Sequence, residues 1–308
     1  MKILIAGGTG LIGRALTKEL IQSGHEVIIL SRNPNKVIRK PQGVELVAWD
    51  GVSTNGWGER VNDVQVVVNL AGENIGGEGF FPSRLTDERK RRIRESRINS
   101  TKALLEAIER AHQKPQVFVE SSMIGYYGFH DDEELDETSS PGDDFFAECR
   151  EWEKVSMPVE DLGVRRVIIR TGIVFSTGRG SALNRLVLPF KLFAGGPLAG
   201  GKQYLSWIHE EDEARAILFL IENQESQGAF NLTAPNPATN AEVGKAIAKV
   251  LKRPYYLPAP EFAFRIAFGE IAALVTKGQR VLPKRLLEQG FEFRFPQVEP
   301  ALRNLLAD

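Results

Sequence analysis

Short apolar runs alternate with stretches of helical spacing along the first two thirds of the chain. The runs are brief, rich in β-branched residues and bounded by glycine or polar clusters, so they read as strands. The first is KILIAG (2–7), followed at once by a glycine turn, and Ala15 to Ile21 then has helical spacing. HEVIILSR (25–32) is the second strand, ELVAWD (45–50) the third, VQVVVNLAG (64–72) the fourth, QVFVESS (116–122) the fifth and RRVIIRTGIVF (165–175) the sixth. The fourth is a near-continuous β-branched run of the kind buried on both faces of a parallel sheet. Leu85 to Arg110 predicts one long helix and Phe145 to Leu162 another. Strands alternating with helices give the α/β class: a Rossmann-like doubly wound parallel sheet, with ligands at the carboxyl ends of its strands.

After Phe175 the texture changes. STGRGSALNRL is a loop entering a helix, AGGPLAGGKQ (194–203) is glycine-rich, and YLSWIHEEDEARAILFLIE returns as a short strand and a helix. Pro235 and Pro237 flank a break, Asn240 to Leu251 is a helix, PYYLPAP is an extended link, and two helices with a short FEFRFP strand (291–296) finish the chain. The division that follows is a nucleotide lobe over residues 1–175, to which 205–235 returns, and a smaller C-terminal substrate lobe made of 176–204 and 236–308.

The glycine turn brings in chemistry. GGTGLIG (7–13) satisfies G-x-G-x-x-G at Gly8, Gly10 and Gly13, and a looser G-x-x-G-x-x-G at Gly7, Gly10 and Gly13. Between a strand and a helix, such a motif lets a pyrophosphate approach the backbone, and the unpaired N–H groups of the first helical turn hold it. An NAD site carries an acid about 20 residues past the glycines, at the tip of the second strand. Here Ser31 and Arg32 hold that tip, with Lys36 close behind. A guanidinium forking onto a 2′-phosphate is worth roughly 1.5–3 kcal/mol, a ten- to hundredfold preference for NADP(H). The plainer reading of Arg32 is a solvated side chain at a strand end.

Composition narrows the remainder. The 308 residues are 42% hydrophobic and 26% charged, with a formal net charge of −1, so no global field favours nucleic acid or a membrane surface. The single cysteine, Cys149, excludes an internal disulfide framework and a multi-cysteine metal site. The opening apolar run is a strand leading into glycines and not a signal peptide, and FAFRIAFGEIAALV is too short and too charged to span a bilayer. The four histidines share no ligand spacing, so no metal is expected. A cytoplasmic monomer or homodimer acting on a small molecule is the expectation, without nucleic-acid or membrane partners.

These residues resemble the extended short-chain dehydrogenase/reductase superfamily, the branch of NAD(P)-dependent epimerases and dehydratases. The fingerprints are GGTGLIG, NLAG (69–72), SSMIGYYG (121–128), RTGIVF and SWIHEED (206–212). NLTAPNPATN and GQRVLPKRLLEQGFEFRFP are similar to the C-terminal segment of one atypical subgroup of uncertain substrate, some members of which carry a cell-division-inhibitor label. The resemblance implies that Gly7, Gly10, Leu11 and Ile12 wrap the pyrophosphate and that Ser31 and Arg32 hold the adenosine phosphate. It implies too that Asp50 approaches the adenine and that Leu70, Ala71 and Gly72 line the adenosine side. The superfamily's Tyr-x-x-x-Lys couple is absent: alignment on Glu153 puts Phe145 and Cys149 at its positions, and a register one residue along puts Phe146 and Arg150 there.

Substitutes for the couple are Ser122, near the superfamily's catalytic serine, and Tyr127, with Met123 taking the serine's place if the loop is one residue longer. The alternative for Tyr126 and Tyr127 is that both rings pack the loop against the sheet. Arg97 stands where the superfamily pattern has an asparagine, and a guanidinium facing the crevice needs an anion: cofactor phosphate, a substrate carboxylate or Glu73. The other basic residues of RLTDERKRRIRESR read as a solvated face. Trp207 and His209 either border the crevice or pack into the core, and Lys202, Gln203 and Arg185 suit a polar substrate. Two functions follow: an NADP(H)-dependent oxidoreductase or epimerase of a polar small molecule with nonstandard acid–base residues, or an inactive NADP(H)-binding redox sensor or division-related regulator.

Overall fold

A computed structural model describes residues 1–36, 42–77, 79, 83–142 and 149–307. The strands are β1 (Lys2–Ala6), β2 (Glu26–Ser31), β3 (Val44–Ala48), β4 (Val66–Asn69), β5 (Val117–Met123), the two-residue β6 (Glu134–Leu135), β7 (Arg165–Thr171), β8 (Ile173–Phe175), β9 (Tyr204–Leu205), β10 (Trp207–His209), β11 (Gly228–Leu232), β12 (Ala238–Thr239) and β13 (Arg280–Val281). Among the described residues, seven of them form one sheet in the order β11-β7-β5-β4-β1-β2-β3, with every neighbouring pair parallel. The order reverses between β1 and β4, the switch point at which a doubly wound sheet opens a crevice.

The alternation of β1 divides the core in two. Ile3 and Ile5 face one layer with Leu16, Leu20, Ile217 and Leu220, while Leu4 and Ala6 face another with Leu104, Ile108 and Phe118. The first layer is α1 (Leu11–Gln22) against α5 (Glu210–Glu222); the second centres on α2 (Asp87–Arg110). Thr86 starts α2 by accepting from the Arg89 N–H, with Asp87 and Glu88 in its first turn. A third core joins α4 (Ala182–Lys191), α6 (Asn240–Leu251) and α10 (Val298–Leu306) around Phe175, Trp207, Val243 and Leu302. Of the remaining helices, α3 (Cys149–Val155) packs on α2 and β5, α9 (Lys284–Glu288) packs on β11, and α7 (Glu261–Phe268) and α8 (Ala273–Thr276) place Phe268 and Leu274 against the cluster of Ile93 and Trp152.

Three expectations need correction. The sixth run breaks at Gly172: its N–H still donates to Leu232, but the Ile173 N–H donates to Ser206, so Ile173–Phe175 leaves the sheet and pairs with Trp207–His209. FEFRFP forms no strand. The Arg294 and Phe295 N–H groups donate to the Asp212 carboxylate at 2.9 and 2.8 Å, which takes the donors a strand neighbour would have used. The helix expected over Phe145–Leu162 is α3 followed by a 3₁₀ turn at Met157–Leu162, since Pro158 denies the continuing helix a donor. Phe145 and Phe146 lie outside the described residues.

Candidate functional site

The carboxyl ends of β1, β4, β5 and β7 open into a cavity of about 720 Å³ that continues between α3, α4, α6 and the segment from Leu257 to Gln279. Its floor is the glycine turn. Gly7 has φ +79°, and a Cβ there would lie 2.5 Å from the Leu70 oxygen; a Cβ on Gly13 would lie 2.5 Å from both the Gly7 oxygen and the Gly8 Cα. Only glycine permits this close passage of two backbones. The Gly10 N–H closes the turn on the Gly7 oxygen at 2.9 Å, and α1 then starts without a side-chain cap. Its first N–H groups therefore remain for an anion, a cradle whose chemistry fits a pyrophosphate.

Arg97 forms the wall beside Gly72. Its guanidinium lies 4.5 Å from the Trp152 ring centroid and donates to the Ile93 carbonyl at 3.2 Å. Desolvation, opposed by Cys149, Glu120 and Glu73, lowers its pKa to about 10, so it stays charged at neutral pH. Glu73 itself pairs with Arg92 at 3.3 Å and Arg89 at 3.7 Å. Below the wall, Glu120 accepts from Asn69 and Thr101 at 3.2–3.3 Å, and burial pushes its pKa up to about 8.

Ser122 reaches the cavity, and its hydroxyl donates to Glu153 at 2.7 Å. Glu153 is held in turn by a two-pronged Arg170 fork at 2.9 Å on each oxygen, and Arg170 lies over the Tyr126 ring at 3.5 Å. The Ser122 proton is committed inward, so its Oγ offers lone pairs outward.

The cavity brings together Gly7, Gly10, Leu11, Ile12, Leu70, Gly72, Arg97 and Ser122, together with Met123. Ser31, Arg32, Asp50 and Ala71 are not in its lining. Ser31 is buried at the end of β2, accepting from the Asn33 N–H, and Arg32 is exposed beside it. Asp50 follows β3 and accepts from Val52 and from the backbone and hydroxyl of Ser53, the hydroxyl being the main cause of its lowered pKa.

Tyr127 is corrected as an acid. Fully buried, it donates to Asn231 at 2.7 Å and accepts from Arg170 at 3.0 Å, and burial pushes its pKa up to about 12. The packing alternative describes it. Cys149 is buried, with its thiol pushed up to about 12, chiefly by burial, and exposed Arg150 points to the Gly142 carbonyl. Trp207 and His209 are core residues, His209 stacked on Phe295 at 3.9 Å. Gln203 donates to the Leu198 and Val275 carbonyls and Lys202 is exposed, so of that group Arg185 alone is both cationic and in the lining.

Sequence reasoning missed two features. Arg89 is buried and not part of a solvated face: it donates to the carbonyls of Asn74, Ile75, Ser83 and Arg84, and Arg185 holds Gly77 and Gly79 of the same loop from the other side. The walls beyond Ser122 are also mostly apolar, with Trp152, Phe264, Phe268 and Leu274 among them, against the expectation of a polar substrate. Charged residues inside apolar runs, Glu120 and Arg170, were the available signal for buried networks.

A strand, glycine turn and helix at the switch point of a parallel sheet, opening into one cavity, define the Rossmann-like class. The chain belongs to the NAD dependent epimerase/dehydratase family, whose model matches residues 3–233; a second model, described as a domain of unknown function (DUF1731), matches residues 259–305. It is 38% identical to the epimerase family protein YfhF of Bacillus subtilis (strain 168), over 100% of this chain and 99% of the relative. It is 36% identical to the chloroplastic SDR39U1 homolog of Arabidopsis thaliana, over 99% of this chain and 87% of the relative. The crystal structure of human epimerase family protein SDR39U1 (isoform 2) with NADPH superposes with a TM-score of 0.87 at 34% identity, covering 99% of both chains. Among the described residues, no helix is long and apolar enough to cross a membrane.

Proposed function

We propose that this chain is an NADP(H)-dependent oxidoreductase or epimerase-like enzyme acting on a small molecule. The observation that carries the reading is the single cavity joining the glycine turn to Ser122 and then to the apolar walls. The relative crystallised with NADPH, alike over nearly the whole length, supports the cofactor. Gly7, Gly10, Leu11 and Ile12 hold the pyrophosphate; Ser31 and Arg32 take the 2′-phosphate; Asp50, Leu70, Ala71 and Gly72 border the adenosine. Arg97, charged and beside Gly72, faces the cofactor's anionic side. When bound, NADP(H) supplies or removes a hydride. Ser122, its proton held by Glu153, accepts a hydrogen bond from the substrate and orients it.

Titration with NADPH and NADH, followed by nicotinamide fluorescence, tests this. NADPH is expected to bind at least tenfold more tightly, and Arg32→Ala to close the gap; equal affinities would overturn the NADP assignment, and no binding of either would overturn the cofactor site. Tight NADPH binding with no turnover of any oxidoreductase or epimerase substrate would favour a redox-sensing regulator, the reading motivated by the inward-turned Tyr127.

A further inference from the structure

The walls specify what shares the cavity with the cofactor. Among the described lining residues there is no carboxylate, and the charged ones are all cations: Arg97, Arg185 and Lys277. Arg97 belongs to the cofactor end beside Gly72. Arg185 stands apart from it on α4, and it is tied down unevenly. Its Nη2 makes both bonds to the loop, at 2.7 Å to Gly77 and 2.9 Å to Gly79, while its buried Nε has no hydrogen-bond partner among the described residues. That Nε is sealed from the cavity and Nη2 is committed to the loop, so the donor left for an anion is Nη1, which makes no hydrogen bond among the described residues; a guanidinium donates charge-assisted hydrogen bonds to a carboxylate or phosphate.

Much of the remaining lining is hydrocarbon, with Tyr204, Asn240, Lys277 and Gln279 among its polar side chains. Phe264 and Phe268 pack against each other at 5.6 Å between centroids, and Leu274, Leu188 and Leu257 continue the surface. The apolar character runs out past the mouth, where Leu257 is 49% exposed and Phe262 and Ile266, on the same helix as Phe264, are 66% and 72% exposed. Sugar hydroxyls set against such walls would lose their water without replacement.

We propose that the substrate is an amphipathic anion, with a carboxylate or phosphate head held by Arg185 and an aliphatic or aromatic body held by the apolar walls of the 257–279 segment. The proposal rests on the reading that the glycine end of the same cavity takes the cofactor. It distinguishes this pocket from one built for a sugar nucleotide, whose hydroxyls would need polar partners where Phe264, Phe268 and Leu274 stand.

The test is calorimetric titration of the full chain, with NADPH saturating, by four probes: octanoate, octyl phosphate, octanol and UDP-glucose. One or both octyl anions are expected to bind at least tenfold more tightly than octanol and UDP-glucose, the better of the two assigning the head group. Arg185→Gln is expected to erase the preference for the anion over octanol, and Phe264→Ser to weaken both octyl anions severalfold. Equal binding of octanol and the anions, tighter binding of UDP-glucose, or no binding of the anions would overturn the proposal. If Arg185→Gln fails to fold, the comparison of probes on the unmodified chain still decides. NADPH affinity, measured separately, keeps the two readings apart: NADPH bound without octyl anions defeats this proposal alone, whereas octyl anions bound without NADPH defeats the cofactor reading alone.

Discussion

Glu153 illustrates how much one carboxylate organises. It accepts from Ser122 and from both prongs of the Arg170 fork, and it is nearly buried. Glu153→Gln leaves a buried guanidinium facing a neutral amide, and breaking such a pair costs about 3–5 kcal/mol. A lower urea midpoint at unchanged slope is the expected result, whereas Glu45→Gln, which breaks the exposed pair with Arg60, is expected to leave the midpoint in place. At this scale the sequence was legible where backbone sterics rule: the spacing of Gly7, Gly10 and Gly13 announces a tight turn, and the structure adds that Gly7 and Gly13 are points of close backbone approach. It was opaque where partners are distant. Glu120 sits in an apolar run and plainly needs donors, yet one of them, Asn69, comes from 51 residues earlier. Nothing local to Tyr127 tells that Asn231 waits 104 residues on.

Among elements, the C-terminal segment shows how a periodic pattern misleads. FEFRFP alternates aromatic and charged residues as a half-buried strand does, but two of its amides are taken by one side chain, Asp212 at the start of α5. Asp212 is fully buried and also takes Arg215 at 3.0 Å. Asp212→Ala therefore strands two backbone donors. Faster amide exchange at Arg294 and Phe295, together with a lower melting temperature, is the expected outcome; protection equal to that of the unmodified chain would show that the segment is held by its aromatic contacts alone. The long basic helix misled in the other direction. Six basic residues from Arg84 to Arg94 looked like a solvated face, but Arg84 reaches the carbonyls of Ile266 and Ala267, Arg94 pairs with Glu151 at 2.8 Å and Lys90 pairs with Glu270. Charge composition announced a surface; tertiary placement made it a joint.

For the molecule as a whole, two buried carboxyls set a pH dependence. Glu120 and Glu213 both have folded-state pKa values raised by burial to about 8, with Asn69 and Thr101 opposing at Glu120 and Thr171 at Glu213. The charged groups acting on Glu120 are Arg166 and Arg97. A carboxyl whose pKa is higher folded than unfolded binds more protons in the native state across that interval. Its contribution is complete below the unfolded value near 4.5 and is lost as pH rises to about 8. Melting temperatures measured from pH 5 to 8.5 are expected to fall with rising pH, and Glu120→Gln, which cannot ionise, is expected to flatten that slope. An unchanged slope in the variant would mean that Glu120 titrates normally. The parallel sheet and the glycine turn were readable in advance because strands, helices and turn follow from local pattern; these ionisations were not, because burial is a property of the finished molecule.

The cavity is assembled from chain segments as far apart as Gly7 and Gln279. Ile271 packs into the cluster of Leu85, Ile93 and Trp152, and Phe268 and Leu274 pack against that cluster. While the chain is being synthesised, the last strand of the central sheet, β11, leaves the ribosome before those partners do. Through that interval a greasy face around Trp152 stays in water, and such a face attracts other unfinished chains. The segment that gives the pocket its apolar wall thus has a second duty in biogenesis: it covers the sticky face around Trp152.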